Sequence, residues 1–340
     1  MTTIKNLHGS VILEVKADNL LYADLQGKNL TGANLGNTVL FKANLSGANL
    51  TSADLRGSNL NDSNLEGVQL NKATLKSAKV ESANFKGATA QQANLSNLFA
   101  SQSNWSEATF TKTDLSQSDF SRTQMQNATL LDCELYEIKI PHANFTGAKL
   151  TRSKLFKAQG QSVIFLEADL EKVDMEHAQF SWGDFTRANI KNSVTRQAKF
   201  VSSIFTEANL SGSNMNQALL EGANLERANL EGCSLFQANL TQANLRGANL
   251  TKANLSGCNM SLCQLEGANL EKADLQGTAL RGARYNEDTV FPVNFNPEAS
   301  GLILTPKRAI GAENATEPAP VAAEPISAST EPEAGSSAQV

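Results

Sequence analysis

Residues 223–250 read ANLERANLEGCSLFQANLTQANLRGANL, and a leucine recurs in this stretch at every fifth residue. An alanine or a cysteine stands two residues before each leucine, and an Asn or a Ser stands between the two. An α-helix would rotate residues five apart by about 500° and scatter these leucines around its surface. A β-strand would place successive leucines on opposite faces, because five is an odd number. The stretch therefore fits neither regular structure.

The five-residue period extends far beyond this stretch. From Leu20 to Tyr285 there are 54 positions at multiples of five, and 50 of them hold a large apolar or aromatic residue. The exceptions are Ala90, Ala100, Gly160 and Thr195. Two residues earlier, 47 of 53 positions hold Ala, Ser, Thr, Cys or Gly. A frame that never slips over this length indicates a repeat architecture and not ordinary globular domains.

The order of residue types explains how such a repeat buries its apolar side chains. Residues two apart in an extended segment share a face, so the small and the large residue can both point inward. Asn or Asp often precedes the large residue and Gly often follows it by two, as in Ala43-Asn44-Leu45-Ser46-Gly47. These residue types tolerate tight turns and positive φ. The pattern predicts a chain that turns after every five residues.

Segments 223–230 and 243–250 resemble the A(D/N)LXX motif of pentapeptide-repeat proteins, and the likeness covers residues 20–285. The resemblance implies an all-β fold, a right-handed quadrilateral β-helix with four pentapeptides in each coil and about 13 coils. The segments 285–292 and 295–299 resemble the end cap of cyanobacterial members of this family.

A second, longer period supports four pentapeptides per coil without reference to the family. Fifteen glycines stand two residues after the large residue, and seven of them fall in one column formed by every twentieth residue. Phe85, Trp105 and four further phenylalanines share a column as well, which predicts aromatic rings stacked at the strand spacing of about 4.8 Å. Large residues near small ones suggest compensation in volume, such as Phe165 after Gly160.

The pattern divides the chain into four segments. Residues 1–19 precede the repeats and are predicted to form an N-terminal cap. Residues 20–285 are predicted to form the β-helix. Residues 286–310 predict a C-terminal cap. Residues 311–340 are rich in Ala, Pro, Glu and Ser and predict a disordered acidic tail.

Charge and hydropathy argue against nucleic-acid and membrane binding. The segment 1–283 carries 26 basic and 26 acidic side chains, and the net charge of −5 comes from the remainder. A neutral repeat region does not favour direct nucleic-acid binding. No apolar run approaches the roughly 18 residues of a membrane span, nor the roughly 7–15 of a signal peptide near the N-terminus. These observations predict a cytoplasmic protein.

The reactive residue types form no catalytic or metal-binding pattern. All four cysteines, Cys133, Cys233, Cys258 and Cys263, occupy the small inward position, where Cys serves as a buried apolar residue. The CxxxxC spacing of the last two leaves a metal or disulfide role as the alternative. The histidines show no triad or metal spacing. The sequence predicts no enzymatic activity, no cofactor and no metal site.

Several outward positions between residues 131 and 206 carry large apolar groups where most carry polar ones. A clustered set would mark a partner-binding surface, whereas single residues scattered over several faces would be ordinary surface decoration. The candidate surface consists of Leu131, Tyr136, Phe156, Ile164, Leu166, Trp182, Val194, Val201 and Ile204. Outside this segment, Phe41, Phe99, Leu219 and Phe236 are interpreted as isolated cases.

Three functions from different classes compete. The first is a protein-interaction scaffold or regulator that presents the walls of a rigid rod to a protein partner, as some cyanobacterial family members do. The second is a DNA mimic acting on DNA gyrase, a role known in the family that requires an acidic rod. An enzyme or metal protein is the third. The open strand edge at each end of a β-helix also predicts a possible homodimer by end-to-end stacking.

Overall fold

The computed structural model describes residues 1–306, and the chain divides into two units, Met1–Thr305 and Pro306–Val340. The first unit contains no helix among its described residues. The predicted acidic tail 311–340, and the last residues of the predicted C-terminal cap, lie outside the described residues. The account below concerns the first unit.

Each pentapeptide has the same five positions. The central position is the multiple of five, the small position lies two residues before it, and the preceding position lies between them. The first and second turn positions follow the central residue. The residue at the second turn position adopts positive φ whether it is a glycine, such as Gly47 (64°), or a large residue, such as Trp182 (57°). This left-handed residue turns the chain through a corner.

Backbone hydrogen bonds join each pentapeptide to its counterparts in the two adjacent coils. The Leu45 N–H donates to the carbonyl of Asn64 at 2.7 Å, and the Asn44 N–H donates to the carbonyl of Ala23 at 2.9 Å. The Ala48 N–H closes the corner by donating to the carbonyl of Leu45 at 3.0 Å. Because the corner and the inter-coil bonds use nearly all backbone groups, the interior holds few unpaired polar atoms.

The asparagine at the preceding position completes this scheme with its side chain. The N–H at the first turn position has no backbone acceptor, and the Oδ1 of the preceding Asn or Asp accepts it instead. In one pentapeptide the Ser46 N–H donates to Asn44 Oδ1 at 3.2 Å, and in another the Thr186 N–H donates to Asp184 Oδ1 at 2.9 Å. The frequent Asn before the central residue is therefore a turn-forming residue.

The register between coils defines four flat faces. Parallel bridges join preceding positions one coil apart, from Asp24↔Asn44 to Gln264↔Arg284. Face 1 contains the central residues 25, 45, 65 and so on, face 2 contains 30 and 50, face 3 contains 35 and 55, and face 4 contains 20 and 40. On face 2, β3 (Thr89–Gln91), β4 (Thr109–Thr111) and β5 (Thr129–Leu131) form a three-stranded parallel sheet in the order β3-β4-β5. This register confirms four pentapeptides per coil, and the fold is the right-handed quadrilateral β-helix predicted from the sequence.

Aromatic side chains stack in columns inside the β-helix, as the sequence predicted. On face 1 the rings of Phe85 and Trp105 lie 3.8 Å apart and almost parallel. Phe165 stacks on Phe185 at 5.3 Å, and Phe185 stacks on Phe205 at 4.8 Å. These rings are fully buried, so dispersion between stacked rings adds to the hydrophobic stabilisation of the core.

Phe180 and Ile140 supply the atoms nearest to Gly160. A Cβ placed on Gly160 would lie 2.8 Å from two ring carbons of Phe180 and 3.0 Å from Cγ1 of Ile140. Both neighbours are one coil away in the same column. The ring of Phe165, which the sequence predicts to compensate for Gly160, packs edge-to-face on the ring of Phe180 at 5.8 Å.

A hairpin lies over the N-terminal end of the β-helix. It pairs β1 (Thr2–Lys5) with β2 (Val11–Val15) in antiparallel fashion. Ile4 is buried to 2% exposure, and the Lys5 carbonyl accepts a hydrogen bond from the Asn34 N–H at 2.8 Å. The hairpin belongs to the segment 1–19 that the sequence assigns to a cap.

The C-terminal end closes with one irregular coil. The Asn286–Thr289 turn inserts one residue, so Asn269 bridges Val290 and not the residue before it. β6 (Arg284–Tyr285) then pairs in parallel with β7 (Ile303–Leu304), and the rings of Phe291 and Phe295 stack at 5.0 Å. Backbone donors on faces 3 and 4 of the last regular coil, at Leu275, Gly277 and Leu280, have no acceptor within residues 1–306.

Candidate functional surfaces

The nine predicted surface residues lie on all four faces. Face 1 holds Ile164, Leu166 and Ile204, face 2 holds Leu131, face 3 holds Tyr136, Phe156 and Val194, and face 4 holds Trp182 and Val201. Trp182 (56%) and Ile204 (41%) are exposed, and the other seven are half-buried. The structure therefore brings together subsets of these residues and not one continuous apolar surface.

Ile164, Leu166 and Ile204 form the face 1 patch. Ile164 and Ile204 occupy preceding positions two coils apart and bridge to Asp184 between them. The same column carries an asparagine ladder on the N-terminal side, where Asn84 Nδ2 donates to Asn64 Oδ1 at 3.3 Å and Asn104 Nδ2 donates to Asn84 Oδ1 at 3.2 Å. The patch interrupts this polar ladder with apolar side chains.

The aromatic residues of face 3 are partly covered by cations. Lys154 Nζ lies 5.5 Å from the ring centroid of Tyr136, and Lys157 Nζ lies 5.1 Å from that of Phe156. The Phe156 ring also contacts the His177 ring edge-to-face at 5.6 Å. In each cation–π contact the lysine covers part of the ring face, so Tyr136 and Phe156 expose less apolar area than their size suggests.

The structure reveals an apolar group that the sequence interpretation missed. Phe41 is not isolated, because its ring contacts Tyr22 edge-to-face at 6.1 Å. Leu21 and Val39 lie beside them at the N-terminal end of face 4, and Tyr22, Val39 and Leu21 are exposed. The 20-residue period pairs Leu21 with Phe41 at the first turn position, and applying that period to outward residues would have found the group.

An apolar residue at the preceding position costs the turn one hydrogen bond. Where Ile164, Val194 or Ile204 replaces Asn, the N–H at the following first turn position (residues 166, 196 and 206) has no acceptor among the described residues. The same holds after Val39 and Phe99, and after polar residues such as Lys149 and Gln179. Each missing bond is worth about 0.5–1.5 kcal/mol of stability. The turn tolerates this loss at many positions, so what sets Ile164 and Ile204 apart is an apolar side chain on an outer wall.

The four thiols are buried inside the β-helix, each at 1% exposure or less. Burial raises the pKa of Cys133, Cys258 and Cys263 to about 12, and it raises the pKa of Cys233 as well. The Cys258 thiol donates to the carbonyl of Leu235 at 2.7 Å. Among residues 1–306, no group of three or more His, Cys, Asp or Glu side chains could hold a metal ion.

We expect none of the four thiols to react with iodoacetamide at pH 8 while the protein is folded. At a pKa of about 12 only about one thiol in ten thousand is a thiolate at that pH, and the core excludes the reagent. Mass spectrometry should find no added group on the native protein and four after denaturation. Rapid labelling of one cysteine in the native protein would contradict its role as a core residue.

Charges are distributed unevenly but weakly over the faces. Between residues 23 and 282, face 1 carries eight acidic and four basic side chains, and face 2 carries nine basic and five acidic. Face 3 carries seven acidic and five basic, and face 4 carries six basic and four acidic. Many are paired across coils, as in Arg152–Asp132 (2.7 Å) and Arg196–Glu176 (2.6 Å). No face of the described repeats is dominated by one sign of charge.

A parallel coil with a side-chain-filled interior and a 20-residue register is a solenoid repeat protein of the β-helix class. Eight matches to the family model for pentapeptide repeats cover most of its coils. They span residues 19–57, 48–87, 91–127, 118–156, 161–192, 203–242, 223–261 and 248–284. The chain belongs to the pentapeptide-repeat family.

Three solved structures are similar to this chain. HetL, a pentapeptide-repeat protein involved in heterocyst differentiation regulation from the cyanobacterium Nostoc sp. strain PCC 7120, is 28% identical, with a TM-score of 0.38. That match covers 64% of this chain and 89% of HetL. QnrB1, a plasmid-mediated fluoroquinolone resistance protein, is 17% identical over 62% of this chain and 91% of QnrB1, with a TM-score of 0.42.

The third is a pentapeptide-repeat protein of the Arabidopsis thaliana thylakoid lumen. It is 25% identical over 38% of this chain and 73% of that protein, with a TM-score of 0.27. No curated protein matches the chain. Within residues 1–306, no helix has the length and apolar character needed to cross a membrane.

Proposed function

We propose that this protein is a non-enzymatic interaction scaffold that presents the outer walls of its β-helix to a protein partner. The observation that carries the proposal is the face 1 patch, because every preceding position on face 1 between residues 24 and 264, other than Ile164 and Ile204, holds Asn, Asp or Gln. Each of these two isoleucines removes a local hydrogen bond and exposes apolar surface, so each is unfavourable for the fold alone. Binding of a partner to that surface provides the compensating interaction.

The face 1 patch is the strongest part of the candidate surface. Ile164, Leu166 and Ile204 lie on one flat wall, with the carboxylate of Asp184 between the two isoleucines. A flat, rigid wall loses little conformational entropy on binding, because its backbone is already ordered by hydrogen bonds on both sides. We therefore expect a partner with an apolar contact surface and donors for the Asp184 carboxylate.

The double variant Ile164→Asn, Ile204→Asn should be more stable than the natural protein and should bind the partner less well. The new side chains restore acceptors for the N–H groups of Leu166 and Thr206, each worth about 0.5–1.5 kcal/mol. Urea denaturation measures the first effect. Quantitative affinity capture from native cell extract, with the full-length protein as bait, measures the second.

Phe99→Asn is the matched control for this variant. It makes the same change at a preceding position on face 4, outside the segment 131–206, and it should also stabilise the turn while leaving capture unchanged. Recovery of the same partners in the same amounts by the double variant would remove the face 1 patch from the proposal. Equal loss of capture by Phe99→Asn would show that the effect is not local.

The alternative, a DNA mimic acting on DNA gyrase, is less well supported. A duplex mimic needs a dense array of carboxylates, whereas faces 2 and 4 carry more basic than acidic side chains. We expect excess purified protein to leave gyrase supercoiling unchanged. Inhibition of supercoiling would favour the mimic over the scaffold.

We also propose cytoplasmic location and end-to-end association as features of this scaffold. The backbone donors at Leu275, Gly277 and Leu280, which have no acceptor among residues 1–306, support pairing with a second copy, because an open strand edge favours strand addition. Light scattering on the full-length protein would distinguish monomer from dimer, and a concentration-independent monomer would exclude the association.

A further inference from the structure

A polar groove of about 700 Å³ runs along the corner between face 3 and face 4. Its first wall consists of second turn positions of face 3, at every twentieth residue from Asn97 to Gln197. Its second wall consists of preceding positions of face 4, namely Lys139, Gln159, Gln179 and Lys199. All ten lining residues are polar, and none belongs to the face 1 patch. The groove is therefore a separate feature from the proposed protein-binding wall.

Side-chain amides are the main chemical groups of the groove. The first wall continues as an oriented amide chain, in which Gln197 Nε2 donates to Gln217 Oε1 at 2.7 Å and Gln217 Nε2 donates to Gln237 Oε1 at 3.1 Å. On the second wall, the amides of Gln159 and Gln179 make no hydrogen bond to any described residue. Each free amide offers two donors and one acceptor, a set that matches hydroxyl groups, which donate and accept at the same time.

The groove is more cationic than the β-helix as a whole. It contains Lys139, Lys157 and Lys199 against the single carboxylate of Glu137. No carboxylate of the described residues lies within 4.0 Å of these three ammonium groups. Lys139 and Lys199 stand three coils apart, about 14 Å, with the two free glutamine amides between them. Along the second wall a cation, two amides and a second cation therefore follow one another in a straight line.

The backbone of the second wall has no free donor at its centre. The Gln159 and Gln179 N–H groups donate to the carbonyls of Ile138 and Ala158 at 2.8 Å. A peptide therefore cannot add to the groove as an extra strand.

We propose that this groove binds a linear acidic glycan, whose carboxylates contact Lys139 and Lys199 and whose hydroxyls contact Gln159 and Gln179. Charge-assisted bonds to the ammonium groups fix the anionic units, and the amides select for hydroxyl-rich units between them. Single-stranded nucleic acid fits less well. Such ligands need a strongly positive track with several stacking rings, and Glu137 lies in the wall.

Isothermal titration calorimetry on the full-length protein tests the proposal with an oligogalacturonate of about ten units as the probe. The natural protein should bind this probe, bind a neutral galactan of equal length at least tenfold more weakly, and lose affinity as salt is raised. The variant Lys139→Gln, Lys199→Gln copies the residue type of the intervening coils and should bind the probe at least tenfold more weakly. Lys79→Gln, in the same column outside the groove, should change affinity less than twofold.

Several results would overturn the proposal. These are no measurable binding of the oligogalacturonate, equal binding of the neutral galactan, tighter binding of an oligo(dT), and an affinity of the double variant equal to that of the natural protein. Gln159→Leu, Gln179→Leu provides a second test that retains the charges. It should weaken binding with an unchanged salt dependence, and an unchanged affinity would count against the role of the amides. Failure of the face 1 variants has no bearing on these results.

Discussion

Replacing Gly160 by Leu is expected to destabilise the β-helix by about 3 kcal/mol, the upper end of the usual cost of overfilling a core, although Leu is the residue that most repeats carry at the central position. The interior beside Gly160 is already filled. A Cβ there would lie 2.8 Å from two ring carbons of Phe180, and Ile140 closes the other side at 3.0 Å. The remaining atoms of a leucine would have to displace these buried side chains, and a close-packed core resists such displacement.

The double variant Gly160→Leu, Phe180→Leu should recover most of this loss. It restores the residue type that fills most central positions, so the two substitutions should be strongly non-additive. Urea denaturation, followed by tryptophan fluorescence and circular dichroism, measures Gly160→Leu, Phe180→Leu and the double variant. A Gly160→Leu protein as stable as the natural one would show that the column can relax. Additive losses in the double variant would show that Phe180 is not the residue that Gly160 accommodates.

Trp105→Ala is expected to lower the free energy of unfolding by about 3–5 kcal/mol. The indole stacks on Phe85 at 3.8 Å and contacts Phe110 and Phe120 at 5.5 and 5.7 Å, so its removal leaves a cavity lined by three rings. The indole Nε1–H also donates to Ser103 Oγ at 2.7 Å. Alanine replaces none of these contacts.

Trp105→Phe and Phe236→Ala are the controls for this prediction. Trp105→Phe keeps an aromatic ring in the column and should cost less than the alanine variant, because only the hydrogen bond and part of the volume are lost. Phe236→Ala removes an exposed ring and should change stability by less than about 0.5 kcal/mol. Since long repeat arrays can unfold in parts, hydrogen exchange in the coils around Trp105 should accompany the denaturation curves. A loss at Trp105→Ala as small as that at Phe236→Ala would contradict the packing described here.

The inward half of the molecule was predictable almost residue by residue. The central and small positions follow from the five-residue period, and the columns of Phe and Gly at every twentieth residue indicate the register from the sequence alone. The prediction succeeds because the backbone of every coil has the same conformation, so each inward position has nearly the same packing environment in all coils. At Gly160 the sequence did not indicate that the nearest atoms belong to Phe180 and Ile140, each one coil away.

The candidate surfaces were less predictable, because outward residues are not constrained by a repeated packing environment. The apolar residues between 131 and 206 are close in sequence, yet they are distributed over all four faces. Tyr22 and Phe41 are distant in sequence, yet their rings touch. The polar groove was not predicted at all. In the sequence the residues of its two walls are polar like most outward residues. Only the register between coils shows that Lys139, Gln159, Gln179 and Lys199 lie in one line beside the turn positions of face 3.

The sequence by itself determined that a five-residue turn encloses a large side chain in a coil of the pentapeptide-repeat family. It did so because period five is compatible with neither a helix nor a flat strand, and because the small, Asn and Gly positions each have a local physical reason. Only the tertiary structure decided which outward residues are neighbours, which turns lack their Asn hydrogen bond, and which corner forms a groove. Those properties depend on contacts between adjacent coils, and both proposed binding surfaces are defined by them.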